Sequence, residues 1–246
     1  MGTSKSYGGI NGNPNWSKLS SSVTHACDTG KISSTNFNNI TSNFTALLGG
    51  SSYGGRGRSG IAGKAGLKTA RKLGGFLNNV RSQGLRPALS NIGFEFSDNT
   101  KASDAINYLL EYCAGVASTL DETAAKEAER QLLEEIGGDA KTFQDLEKNF
   151  EAKIDEYGTE ELLIKYYAYY TYEHLSIDFY EKLIEEKGRQ ATANFYTQLK
   201  NFLVEKLKNI ALKRDLSKID WPGEEGDSLV KNIFEDTLKA FENHEN

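Results

Sequence analysis

From Ala102 onward nearly every segment repeats its apolar residues at helical spacing, and none alternates them with the period of two that a half-buried strand requires. Ile106, Leu109, Leu110, Cys113 and Val116 make one stripe within 102–117. The segment from Asp121 to Ile136 opens with Thr119 and Glu122 at the spacing of a capping box and stops at Gly137-Gly138. Phe143, Leu146, Phe150, Ile154 and Tyr157 make the next stripe, closed by Gly158. Thr159 to Gly188 is apolar or aromatic around most of its circumference, which marks a central helix. Its tyrosines, Tyr166, Tyr167, Tyr169, Tyr170 and Tyr172, read as core with their hydroxyls satisfied at the rim. A helix carrying Phe195, Leu199, Phe202, Leu203, Leu207 and Ile210 follows; "WPGEEGD" breaks the chain, and Val230, Ile233, Phe234, Leu238 and Phe241 line a last helix. The fold class expected is all-α, a helical bundle spanning 95–246.

Charge divides the chain more sharply than length does. Residues 1–94 hold 11 Lys/Arg against one acid, Asp28, whereas 95–246 hold 18 Lys/Arg against 33 acids. That asymmetry suggests an interaction arm joined to an acidic body. Residues 1–55 are rich in Gly, Ser and Asn, with too few apolar residues to offset the entropy of ordering, about 1–2 kcal/mol per residue for the backbone alone. They are expected to form a long, largely disordered tail, mobile until something holds it, with a short helix around Phe37, Ile40, Phe44, Leu47 and Leu48. Residues 56–94 form a basic, Gly-rich docking arm. Its helix, from Ile61 to about Val80, carries Lys64, Lys68, Arg71 and Lys72 on one stripe and Leu67, Leu73, Phe76, Leu77 and Val80 on an apolar one. Several glycines interrupt it, so the helix is expected to be stable only when docked on the acidic body or on a partner.

Most short motifs fail on context. Gly55 to Gly60 matches G-x-G-x-x-G, but no strand precedes it and no acid follows before Glu95. Gly63-Lys64 is followed by Ala65, where a phosphate loop needs Ser or Thr. His25, His174 and His244 lie in different segments, so neither a zinc site nor another cofactor is expected, and the acid-rich stretch from Asp121 to Glu135 reads as a solvated face. A hydrolase built on His174 lacks a nucleophile paired with it. Cys27 and Cys113 are too few for a disulfide framework, and no apolar run reaches the length of a membrane span, so a cytoplasmic protein without membrane contact is expected. The start, Met1-Gly2-Thr3-Ser4-Lys5-Ser6, fits a myristoylation pattern, and Gly2 is small enough for Met1 to be removed, leaving a free glycine amine.

Three stretches carry a family resemblance: "MGTSKSYGG" at the start, "GRSGIAGKAGLKTARKLGGFL" from Gly57, and "STLDETAAKEAERQLLEEI" from Ser118. In that order they resemble the QatB family, a component of the Qat bacterial anti-phage system. The chain departs from the family's Pro-rich stretch after the start, having "INGNPNWSKLSSSV" there. The resemblance implies three partners: an ATPase, a QueC-like enzyme and a TatD-like nuclease. QueC-type enzymes activate the carboxylate of a deazaguanine with ATP, and a protein amine in place of ammonia would join that base to the protein by an amide. The expectation is therefore a non-enzymatic scaffold or adaptor whose Gly2 amine is the acceptor. Thr3 and Ser4 would fit the enzyme's channel, and Arg56, Arg58, Lys64, Lys68, Arg71 and Lys72 would meet partners. The competing expectation is a nucleic-acid-binding accessory that uses the same basic arm.

Overall fold

The computed structural model describes residues 14–48, 50, 63–207, 216 and 218–242. Gly2, Thr3, Ser4, Arg56 and Arg58 lie outside the described residues. Among those described, the secondary structure is α-helical and no strand occurs. The helices are α1 (Pro14–Asp28), α2 (Ser34–Leu48), α3 (Lys64–Gln83), α4 (Leu85–Asn91), α5 (Ala102–Cys113), α6 (Leu120–Gly137), α7 (Phe143–Lys187), α8 (Arg189–Leu207) and α9 (Glu224–Glu242).

Helix α7 is the axis. Its backbone breaks at Gly158, where φ is 72° and ψ is 165°, so two helical runs meet at the glycine that closes the third apolar stripe. Beyond the break, Tyr166, Tyr167 and Tyr170 are fully buried. Each hydroxyl finds an acceptor: Tyr166 donates to the Gly66 carbonyl at 3.3 Å, Tyr167 to the Val230 carbonyl at 2.9 Å, and Tyr170 to Asp121. Aromatic rings this large contribute by area, and their polar tips are tolerated inside because they are paired. Helices α3, α6, α8 and α9 pack around this run.

The basic helix is docked on the body. α3 lies against α6, α7 and α9, burying Leu73, Phe76, Leu77 and Val80. Two of its glycines are what let it come so close. A Cβ on Gly66 would stand 2.7 Å from Cζ of Tyr170, and one on Gly74 would stand 2.2 Å from Cζ3 of Trp221. The interruptions that weaken α3 in isolation are the places where large aromatics press onto its backbone.

The stretch assigned by composition to a tail contains, in residues 14–48, two packed helices. α2 is the helix anticipated around Phe37 to Leu48; α1, with Leu19, Val23, Ala26 and Cys27 buried, was not anticipated. What holds them is the body. Trp16 stacks on Phe179 with centroids 4.9 Å apart, Phe37 stacks on Phe202 at 5.2 Å, and the Thr41 hydroxyl donates to the Phe241 carbonyl at 3.2 Å. Too few apolar residues to close a core alone are enough to complete one begun by other helices.

Candidate functional site

The outer face of α3 is where charge, clefts and helix ends coincide. The four-residue basic stripe is divided along its length. Lys64 and Lys68 are exposed, and neither has an ion-pair or hydrogen-bond partner among the described residues. One turn on, Arg71 donates through Nη1 to Asp227 at 2.8 Å. Lys72 donates to the Tyr112 carbonyl at 2.6 Å, with its ammonium 4.9 Å from the centre of that residue's ring. The second half of the stripe is thus engaged within the chain, and the first half is free.

The N-terminus of α3 is fixed by one carboxylate from α6. Asp121 Oδ1 accepts from the Gly63 amide at 3.2 Å and from the Tyr170 hydroxyl, and Oδ2 accepts from the Ala65 amide at 3.0 Å. His174 Nε2 lies 3.2 Å from Oδ1, and the Gly63 amide also reaches the Tyr170 hydroxyl at 2.7 Å. An anion at the start of a helix satisfies amides that have no partner in the helix itself and complements its dipole. Burial pushes the Asp121 carboxyl upward, but the bonds from His174, Tyr170 and Ala65 outweigh it and hold the group below its ordinary value. His174 is therefore buried in a structural network, with its ring edge-on to Tyr170 at 4.7 Å. No serine or cysteine hydroxyl or thiol is bonded to His174 among the described residues.

The same stretch of α6 that reads as a solvated face holds a second inward carboxylate. Glu129 is wholly buried, and neither of its carboxylate oxygens has a hydrogen-bond partner of good geometry. Desolvation drives its carboxyl well above the ordinary value, against the weaker pull of the Cys113 thiol, the Ala114 amide, Lys126 and Lys72. Asp121 and Glu129 correct the solvated reading of that stretch. Both fall in register with the inward Ala125, Ala128 and Leu132, and that register was the signal available in the sequence.

Two clefts open along the basic face. The first, about 510 Å³, is lined by Lys64, Lys68 and Thr69 from α3 and by Ala114, Thr119 and Leu120 from the α5–α6 region. The second, about 430 Å³, runs past Arg71, Lys72, Asn78, Asn79, Tyr112 and Trp221. Trp221, missed in the sequence reading except as part of a break, closes the second cleft and has a buried indole N–H without a partner. Among the described residues no group of His, Cys, Asp and Glu is placed to hold a metal ion, and no helix is long and apolar enough to cross a membrane.

Compared with known proteins, residues 54–241 match the family model described as "Qat anti-phage system associated protein QatB". No curated protein and no solved structure matches the chain.

Proposed function

The chain belongs to the QatB family of the Qat anti-phage system, and we propose that within that system it is a non-catalytic adaptor. The observation that carries this reading is the division of the basic helix. Two of the four cations on its stripe are used to dock α3 on the protein's own body, leaving Lys64 and Lys68 beside an open cleft. A helix that is both embedded in the core and charged on its free edge can transmit a rigid orientation to whatever binds that edge. The partners in this reading are the QueC-like enzyme, the ATPase and the TatD-like nuclease, met in the cytoplasm.

The finer part of the proposal concerns the start of the chain. The Gly2 amine accepts the ATP-activated carboxyl of a deazaguanine from the QueC-like enzyme, forming an amide as the activating group leaves, and Thr3 and Ser4 pass through the enzyme's channel. Small, uncharged side chains beside the amine support this, because they present little bulk to a narrow site. Arg56 and Arg58, which precede α3 in sequence, extend the partner-facing charge.

The nucleic-acid reading is the weaker one on this geometry. With Arg71 and Lys72 committed to Asp227 and Tyr112, the basic stripe of α3 keeps only Lys64 and Lys68 for a phosphate backbone, with the exposed Arg81 apart from them near the helix's other end, and counterion release scales with the number of phosphates neutralised. Co-purification tests the adaptor reading: the full chain, tagged and co-expressed with the three partners, is expected to retain at least one of them through gel filtration. Loss of all three under conditions where each is soluble would remove the reading.

A further inference from the structure

A single tryptophan seats a surface turn on the basic helix. Across 218–228, which runs from just after the buried Leu216 to the buried Leu229 and Val230, Trp221 is the one buried side chain; its companions are exposed or half-buried, and Gly226 has no side chain to bury. The indole lies in a notch that two glycines leave open on α3. A Cβ on Gly74 would stand 2.2 Å from Cζ3 and 2.5 Å from Cη2 of the ring, and one on Gly75 would stand 3.0 Å from the Trp221 Cβ. Leu163 of α7 borders the same notch, its Cδ1 3.1 Å from the Gly74 position. Any side chain at residue 74 would take the space that the indole occupies.

The turn that carries Trp221 is held together from within. The Gly223 and Gly226 amides both donate to the Asp220 carbonyl, at 3.2 and 3.1 Å, the Asp227 amide donates to the Gly223 carbonyl at 3.3 Å, and the Asp220 amide donates to Glu225 Oε2 at 3.0 Å. None of these bonds reaches the body. Among the described residues, the polar tie from the turn to α3 is the pair of Asp227 with Arg71, and the Asp227 side chain is 63% exposed. The Trp221 indole N–H is buried without an acceptor, so the seated ring carries a desolvation penalty where a bond would have held it. α9 has its own anchor further along, where the Tyr167 hydroxyl donates to the Val230 carbonyl at 2.9 Å. A self-contained turn, fixed beyond both ends and seated by one side chain and one exposed ion pair, has what local opening without global unfolding requires.

We propose that residues 218–228 form a strap that opens as a unit: Trp221 leaves the Gly74–Gly75 notch, Asp227 parts from Arg71, and α9 stays packed from Val230 onward. The closed strap supplies one wall of the second cleft through Ile219, Asp220, Trp221 and Pro222. Opening removes that wall, bares the backbone of α3 at two glycines, and returns Arg71 to the free edge of the helix with Lys64 and Lys68. A partner that contacts the uncovered face shifts the strap toward the open state by as much as it prefers that state. The inference does not depend on the adaptor reading, which co-purification tests separately.

Indole hydrogen exchange in the full chain tests the strap. The sequence holds two tryptophans, and Trp16→Phe, which keeps a ring against Phe179, leaves Trp221 as the sole reporter. In NMR spectra the Trp221 indole N–H should be about tenfold less protected from deuterium exchange than the Tyr167 and Tyr170 amides, and its exchange should depend less on urea, because a local opening exposes little surface. Arg71→Ala should speed that indole exchange about threefold, the scale of an exposed ion pair. Gly74→Ala should hold the strap open: Trp221 emission moves to the red and acrylamide quenches it more, while far-UV circular dichroism keeps its helical signal. The proposal is overturned if the indole matches the core amides in protection and urea dependence, which would mean that Trp221 leaves only when the whole protein unfolds. Unchanged exchange in Arg71→Ala would also overturn it, as would Gly74→Ala emission that stays blue or that turns red only together with loss of the helical signal. The exchange measurement needs no change in α3, so it decides the matter even if Gly74→Ala is too unstable to purify.

Discussion

Helix α6 carries two inward carboxylates two turns apart, and their surroundings are opposite. Asp121 receives bonds from two backbone amides, a tyrosine hydroxyl and a histidine ring; Glu129, wholly buried, receives none of good geometry. The first joins three helices, α3, α6 and α7, at the point where the basic helix begins. The second is a cost that the surrounding core carries. Burial alone does not decide what a charged group does to a fold; the supply of donors does. Cleft and latch are also neighbours, because Asp121 lines the first cleft while holding the backbone of Gly63 and Ala65.

The largest effect expected from breaking this contrast is at Asp121. Asp121→Ala leaves the Gly63 and Ala65 amides, the Tyr170 hydroxyl and His174 without their acceptor, and should cost about 3 kcal/mol in urea unfolding. Gly66→Ala comes next. Its Cβ would meet the rigid Tyr170 ring at 2.7 Å, and overpacking of about 1–3 kcal/mol exceeds the gain of about 0.5–1 kcal/mol from replacing a helical glycine. A net loss confirms that Tyr170 is pressed onto α3, whereas net stabilisation would mean the ring moves away freely.

Glu129→Met should act in the other direction, stabilising the protein by about 1–2 kcal/mol at neutral pH, since an apolar side chain of similar length needs no donors. The pH dependence carries the sign. Because the folded carboxyl of Glu129 titrates above its ordinary value of 4.5, the unfolded chain ionises first as pH rises, and stability falls from that point upward. The gain from Glu129→Met should therefore shrink as pH is lowered towards 4.5. Asp121 behaves oppositely: held below its ordinary value of 3.8, it contributes fully above that value and is lost as pH falls through its folded value. Denaturation of the two variants across pH 3 to 8, beside the unaltered chain, separates these slopes. The smallest effect is at Arg71→Ala. Its pair with Asp227 is largely exposed on the acid's side, so the loss should stay below about 1 kcal/mol.

Much of this fold is legible in the sequence because its determinants are local. The capping box of α6 forms between Thr119 and Glu122, with the Glu122 amide donating to the threonine hydroxyl at 3.2 Å; the break in α7 falls on Gly158; and the tyrosine run is core. What escaped is what depends on distant partners. α1 has a polar run, Ser20 to Ser22, and buries a narrow face whose value is set by α2, α7 and α8. Asp121 is one acid among many in α6 until Tyr170 and His174, about fifty residues later, fold back onto it. The split of the basic stripe was likewise invisible, because Asp227 and the Tyr112 carbonyl belong to other elements. Gly2, proposed to receive the modification, and Thr3 and Ser4 beside it are legible only as sequence.

The most direct test of the adaptor account is the mass of the N-terminal peptide, compared between protein made alone and protein made with its QueC-like partner. The account predicts a deazaguanine-sized addition localised to Gly2 that appears only with the active partner. An unmodified glycine beside a folded, active partner would contradict it.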